Sequence, residues 1–169
     1  MSIENIAILF SFISIVCFCI SAFKKNKKGI VGLYLCCDVC DLIMYILLGA
    51  TTGIASVTVN LCRDASYSKL NNIKFTVIFA VTKVVLMIIG YEDFSSGILI
   101  IIEVIAIPVL IFCSAQQFRI LMSIRQCAWA LYDYIHLEKI IFVFTLIGLI
   151  CYIISIIKEH RSTLKEASE

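Results

Sequence analysis

Charge is scarce in this sequence. Asp, Glu, Lys and Arg make up 15% of 169 residues, against a hydrophobic share of 62%. Average soluble chains are about 25% charged and about 45–50% apolar. A soluble domain of this length wraps one core in a charged surface, and too few charges are present to form one. The shortage excludes an ordinary soluble domain and points to a polytopic membrane protein. The net charge is only +2, so no basic excess calls for nucleic acid. Histidine occurs twice, at His136 and His160, far in sequence from most of the cysteines. There is no phosphate-binding glycine loop, no nucleophile-and-base arrangement and no H-E-x-x-H helix, so an enzyme is not expected. The first apolar run carries Glu4 and no Lys or Arg before it. It is too long for a signal-peptide core, and no small-residue cleavage site precedes Lys24, so it reads as a retained first helix.

Cysteine, by contrast, is abundant, with nine residues. Cys17, Cys19, Cys36, Cys37, Cys40, Cys113, Cys127 and Cys151 lie within apolar runs and Cys62 at the end of one. There cysteine acts as a small, soft hydrophobe, and the spacing is not that of a secreted disulfide scaffold. The run Cys36-Cys37-Asp38-Val39-Cys40-Asp41 has the soft donors that Cu(I) or Zn favours. With no histidine beside it, packing is the reading taken; no metal and no cofactor are expected.

A spanning helix needs about 20 apolar residues. Candidates fall at Ile6–Phe23, Gly29–Leu48, Gly49–Leu61, Phe75–Gly90, Gly97–Ser114, Arg119–Ile135 and Lys139–Ile157. The expected fold is an all-α membrane protein of about seven transmembrane helices. A polar loop is expected from Arg63 to Lys74, an acidic turn at Tyr91-Glu92-Asp93, and a kink at Pro108. Lys and Arg concentrate on the cytoplasmic side of membrane proteins. With seven spans, one side collects Lys24, Lys25, Lys27, Lys28, Arg63, Lys69, Lys74, Arg119, Lys158, Arg161 and Lys165, and the other only Lys139. This predicts an outside N-terminus and an inside C-terminus.

A shift of about 87 positions aligns Cys40 with Cys127, Tyr45 with Tyr132, Ile54 with Ile141 and Thr58 with Thr145. Two parallel three-helix repeats joined by a linker helix, a 3+1+3 layout, follow from that alignment. The units are residues 1–74, the linker 75–93, the second unit 94–158 and a cytoplasmic tail 159–169.

Six ionisable residues interrupt the apolar runs: Asp38, Asp41, Lys83, Glu103, Arg125 and Asp133. A charge at the bilayer centre costs about 2.5–3.5 kcal/mol on insertion scales, so each must face a protein interior or a partner. The repeat puts Asp38 and Arg125 on equivalent positions, which predicts an ion pair or gate across a central cavity; a structural pair that only locks packing is the alternative. Asp41 shares a face with Asp38, where two carboxylates would bind a cation or relay protons, unless Asp41 bonds Thr51 or Thr52. Lys83 is expected to pair with Glu103, as an ion pair or gate. Asp133, near a helix end, is expected to be solvated. Trp129, one turn after Arg125, would form a stacking wall, while Tyr132 and Tyr134 would anchor at the outer interface.

Arg119-x5-Arg125-x3-Trp129-x2-Tyr132-Asp133, together with Gly49-Ala50-x-Thr52-Gly53 running on to Asn60-x-x-Arg63, resembles the YgjV-type bacterial inner-membrane proteins from about Gly49 onward. The layout is also similar to that of nicotinamide riboside transporters and sugar-exporting SWEET proteins. A single proline cannot supply the paired Pro-Gln motif of the latter, so sugar transport is not implied. The resemblance adds Asn60, Arg63, Arg125, Trp129 and Asp133 as candidates, with Arg63 and Asp133 equally boundary residues. The expectation is a transporter-like multi-pass protein of a bacterial inner membrane. It would bind or move a small polar solute through Asp38, Asp41, Asn60, Arg125 and Trp129. The alternative is a non-transporting scaffold or accessory subunit whose buried charges only fix packing. The partners implied are the lipid bilayer, a small polar solute and a homo-oligomer, with no nucleic acid.

Overall fold

A computed structural model describes the chain apart from residues 1, 25, 66–72, 113–114, 138 and 167–169. The middle of the expected polar loop, Lys25, Lys69, Cys113 and the side chain of Pro108 therefore lie outside the described residues. Among the described residues seven helices follow in order: α1 (Ile3–Ala22), α2 (Lys27–Leu48), α3 (Thr51–Ala65), α4 (Ile73–Ile89), α5 (Phe94–Phe112), α6 (Ala115–His136) and α7 (Lys139–Glu166). No strand occurs among the described residues.

Local chemistry sets several boundaries. Asn26 caps α2 by accepting from the Gly29 N–H at 2.6 Å. Gly49 ends the same helix at φ 71°, the left-handed conformation that glycine adopts without penalty. Asp93 accepts from the Ser96 N–H at 3.1 Å and so starts α5 three residues before the apolar run at Gly97. Two helices outrun their apolar segments. α3 continues past Leu61 because Arg63 and Asp64 turn inward and are buried. α7 continues past Ile157 through most of the expected tail.

Each helix packs on the next in the chain, and α7 packs back on α1, closing a ring. Gly148 permits that closure: a Cβ there would lie 2.7 Å from Ile15 and 3.0 Å from Phe18 of α1. The side-chain distribution is inverted relative to a soluble protein. Leu9, Phe12 and Val16 of α1, Val77, Val81 and Val85 of α4, and Ile147, Ile150 and Ile154 of α7 face outward, while Asp38, Lys83, Glu103, Arg125 and Asp133 are buried. Water would penalise that arrangement and hydrocarbon would not. Among the described residues, three helical stretches are long and apolar enough to cross a membrane, Ile3–Ala22, Lys28–Leu48 and Lys139–Arg161; Val77–Ile89 and Phe94–Ala106 are shorter apolar stretches.

Candidate functional site

Inside the ring, polar side chains sort into three clusters around one cavity. The first centres on Glu103 of α5, which is fully buried. Its Oε1 accepts from Arg125 Nε at 2.9 Å and Nη2 at 2.6 Å, and from Trp129 Nε1 at 2.8 Å. Its Oε2 pairs with Lys83 Nζ of α4, which also donates to Asn60 Oδ1 of α3 at 2.6 Å. One carboxylate thus joins two cations and an indole, and the cluster ties α3, α4, α5 and α6 together.

That geometry corrects one expectation. Asp38 and Arg125 line the same cavity, but no ion pair joins them among the described residues. Glu103, on the helix next to Arg125, takes the guanidinium with two hydrogen bonds.

The second cluster centres on Asp133, which is buried at 2% exposure and not solvated as expected. Tyr45 of α2 donates to its Oδ1 at 3.1 Å and Thr145 of α7 to its Oδ2 at 2.5 Å. α6 runs on to His136, so Asp133 sits a turn inside its end. Tyr132 is likewise no surface anchor. Its ring packs against Tyr45, Trp129 and His136, and its hydroxyl donates to Glu92 at 2.7 Å. Tyr134 is exposed.

The third cluster lies between α1, α2 and α3. Asp41 hydrogen-bonds Ser14 of α1, not Thr51 or Thr52, which bond instead to Glu92 and to the Gly90 carbonyl. Arg63 Nε donates to Asp64 Oδ1 at 2.6 Å. Asp38 Oδ2, Arg63 Nη1 and Ser56 Oγ have no hydrogen-bond partner among the described residues, though all three residues are buried; of the three, Asp38 and Arg63 line the cavity. Cys37 donates to the Ser14 carbonyl, while Cys36 and Cys127 are exposed.

The cavity itself admits the centres of water-sized spheres over about 80 Å³. A single water needs about 10–15 Å³ on that measure, so several waters or one small solute fit. Asp38, Asp41, Asn60, Arg125 and Trp129 all line it, with Arg63 and Asp133; Lys83 and Glu103 stand behind the wall. Ser14, Tyr34 and Tyr45 line it too, and sequence reasoning had no role for them. The signal was present in α1: Ala7, Ser11, Ser14, Phe18 and Ser21 form a buried stripe at helical spacing on an otherwise apolar helix.

One end of the ring is closed by a further network at the α4–α5 turn. Glu92 accepts from the Thr51 N–H and hydroxyl, both at 2.8 Å, and lies 3.6 Å from His136 Nδ1. Asp93 lies 3.1 Å from His136 Nε2. Partial burial works against the Glu92 charge, but hydrogen bonds from Tyr132 and Thr51 outweigh it and hold the carboxyl below the usual range. The Ser95 hydroxyl, with the Ser96 N–H and His136, holds the Asp93 carboxyl well below its range.

A model of one family, Imp-YgjV, described as bacterial inner membrane protein, matches residues 5–163. Neither a curated protein nor a solved structure matches the chain.

Proposed function

We propose a function on this premise: the chain belongs to the Imp-YgjV family of bacterial inner membrane proteins. In our reading all seven helices cross that membrane, N-terminus outside and C-terminus inside. The central cavity binds a small polar solute and moves it between the unit α1–α3 and the unit α5–α7, with α4 as linker. The observation that carries the reading is a cavity large enough for a solute, lined by Asp38 and Arg63, each of which carries a buried polar atom without a hydrogen-bond partner among the described residues. A buried polar atom without a partner costs about 1–3 kcal/mol, more when charged, and a polar solute would remove that cost.

α6 supports the seven-span reading. Ile120, Ile124 and Leu131 point outward along one face while Arg125, Trp129 and Asp133 point inward, so its charges never meet lipid. The ring order supports the linker, since α7 packs directly on α1 while α4 sits between α3 and α5. The Lys83–Glu103–Arg125 cluster is mutually satisfied and holds helices together, as a gate or a fixed strut. Asp38 and Arg63 remain for the solute. No step of covalent chemistry enters this reading.

The test uses Trp129, the chain's one tryptophan, as reporter. Purified protein is titrated with glycine, ethylammonium, acetate and acetamide, and uptake is followed in proteoliposomes. A saturable fluorescence change with matching uptake is expected for at least one probe. Absence of both for all four would defeat the reading. A C-terminal fluorescent fusion should be bright and an alkaline phosphatase fusion at Gly49 active; the reverse pattern would overturn the orientation.

A further inference from the structure

We infer that the cavity is built for a small zwitterion, its ammonium on Asp38 and its carboxylate on Arg63. The inference rests on the solute-binding reading above and names the class of solute. The two stranded atoms are complementary: one belongs to a carboxyl group and the other is a guanidinium donor. They sit on α2 and α3, which pack against each other, yet no ion pair joins them among the described residues. Asp38 is 6% and Arg63 9% exposed, so neither group is satisfied by bulk solvent.

The neighbours fix both groups in these roles. Asp64 holds Arg63 through Nε at 2.6 Å, and Arg63 lines the cavity with its Nη1 left without a partner among the described residues. Arg125, the other cation on the cavity wall, is already neutralised by Glu103. Asp41 lies one turn from Asp38 on the same helix and adds negative potential beside it. A bare anion on Arg63 would share the cavity with Asp38 and Asp41. A bare cation would satisfy Asp38 and leave Arg63 Nη1 stranded. A solute with both groups on a short skeleton satisfies both, and the size of the cavity limits that skeleton to a few atoms. Tyr45 and Trp129, with ring centroids 5.5 Å apart, add aromatic faces on which an ammonium group is favoured.

The test is the relative affinity of the four probes at constant ionic strength, read from Trp129. Glycine should bind at least tenfold tighter than ethylammonium, acetate or acetamide, since each lacks one or both charged contacts. Asp38→Asn should erase the preference for glycine over acetate, and Arg63→Gln the preference over ethylammonium, with the unfolding transition checked for each variant. If a variant does not fold, the wild-type ranking decides alone. Ethylammonium, acetate or acetamide binding less than tenfold weaker than glycine, or tighter, overturns the zwitterion and leaves the solute-binding reading intact. No response to any probe overturns both, with water alone filling the cavity.

Discussion

Glu103→Gln is the sharpest perturbation of the interior. Among the described residues the ion pairs of Lys83 and Arg125 both run to Glu103. The amide keeps the shape and one acceptor but removes the negative charge that Lys83 and Arg125 share. Two cations are then left close together in a low-dielectric interior. Removing one partner of a buried ion pair costs about 3–5 kcal/mol, or roughly two to four orders of magnitude in the folding equilibrium. Lys83→Met should cost less, because Glu103 and Arg125 remain as a neutral pair with two direct hydrogen bonds. The assay is reversible unfolding in mixed micelles on addition of SDS, followed by far-UV circular dichroism and by Trp129, whose indole donates to Glu103. The reasoning fails if Glu103→Gln costs under about 1 kcal/mol, the scale of a surface pair. It fails equally if Lys83→Met proves the more damaging change.

Asp133→Ala should cost about 1–3 kcal/mol through the stranded Tyr45 hydroxyl. Tyr45→Phe should then cost less in that background than in the wild type, a coupling that a double-mutant cycle measures. Gly53→Ala puts a Cβ 2.6 Å from the buried Tyr45 ring, whereas Gly32→Ala meets nothing within 4 Å. Unfolding should show the first destabilised by about 1–3 kcal/mol and the second unchanged or stabilised by about 0.5–1 kcal/mol. Glu92 and Asp93 both ionise more readily when folded. Their contribution is complete above the ordinary carboxylate range and is lost as pH falls below about 4. Acid should therefore destabilise the wild type more than the Glu92→Gln, Asp93→Asn double variant in unfolding curves taken between neutral and acid pH.

The helices were legible because lipid-facing residues need no polar interruption: apolar runs mark them to within a few residues at most ends. The errors lie where a helix carries its polar face inward. In sequence, Arg63 and Asp64 mark a boundary after Leu61, although both are buried and the helix runs on to Ala65. Asp133 read as a helix end for the same reason. What identifies its site, Tyr45 and Thr145, lies on two other helices, and no spacing within α6 reveals them. The repeat alignment singled out both residues without showing that they meet. Asp38 and Arg125 were correctly read as facing the interior. Their partners depend on which helices adjoin, and Glu103 on α5 is nearer to Arg125 than any inference from symmetry could show. Ser14 was overlooked because a lone serine in an apolar helix carries little signal until its stripe is traced.

The central cluster also has an order in time. Read along the chain, Asn60 comes first, then Lys83, which bonds it, then Glu103, which pairs Lys83, then Arg125 and Trp129, which both reach back to Glu103. Each charged side chain emerging from the ribosome after Asn60 in this set thus finds a complementary group already synthesised. In the proposed seven-span topology, Arg125 on its own would burden the entry of α6 into the bilayer by about 2.5–3.5 kcal/mol. Glu103, made some twenty residues earlier on the preceding helix, offers it a counter-charge as it enters. In that topology the same contacts that brace the finished ring would ease α6 into the membrane during synthesis.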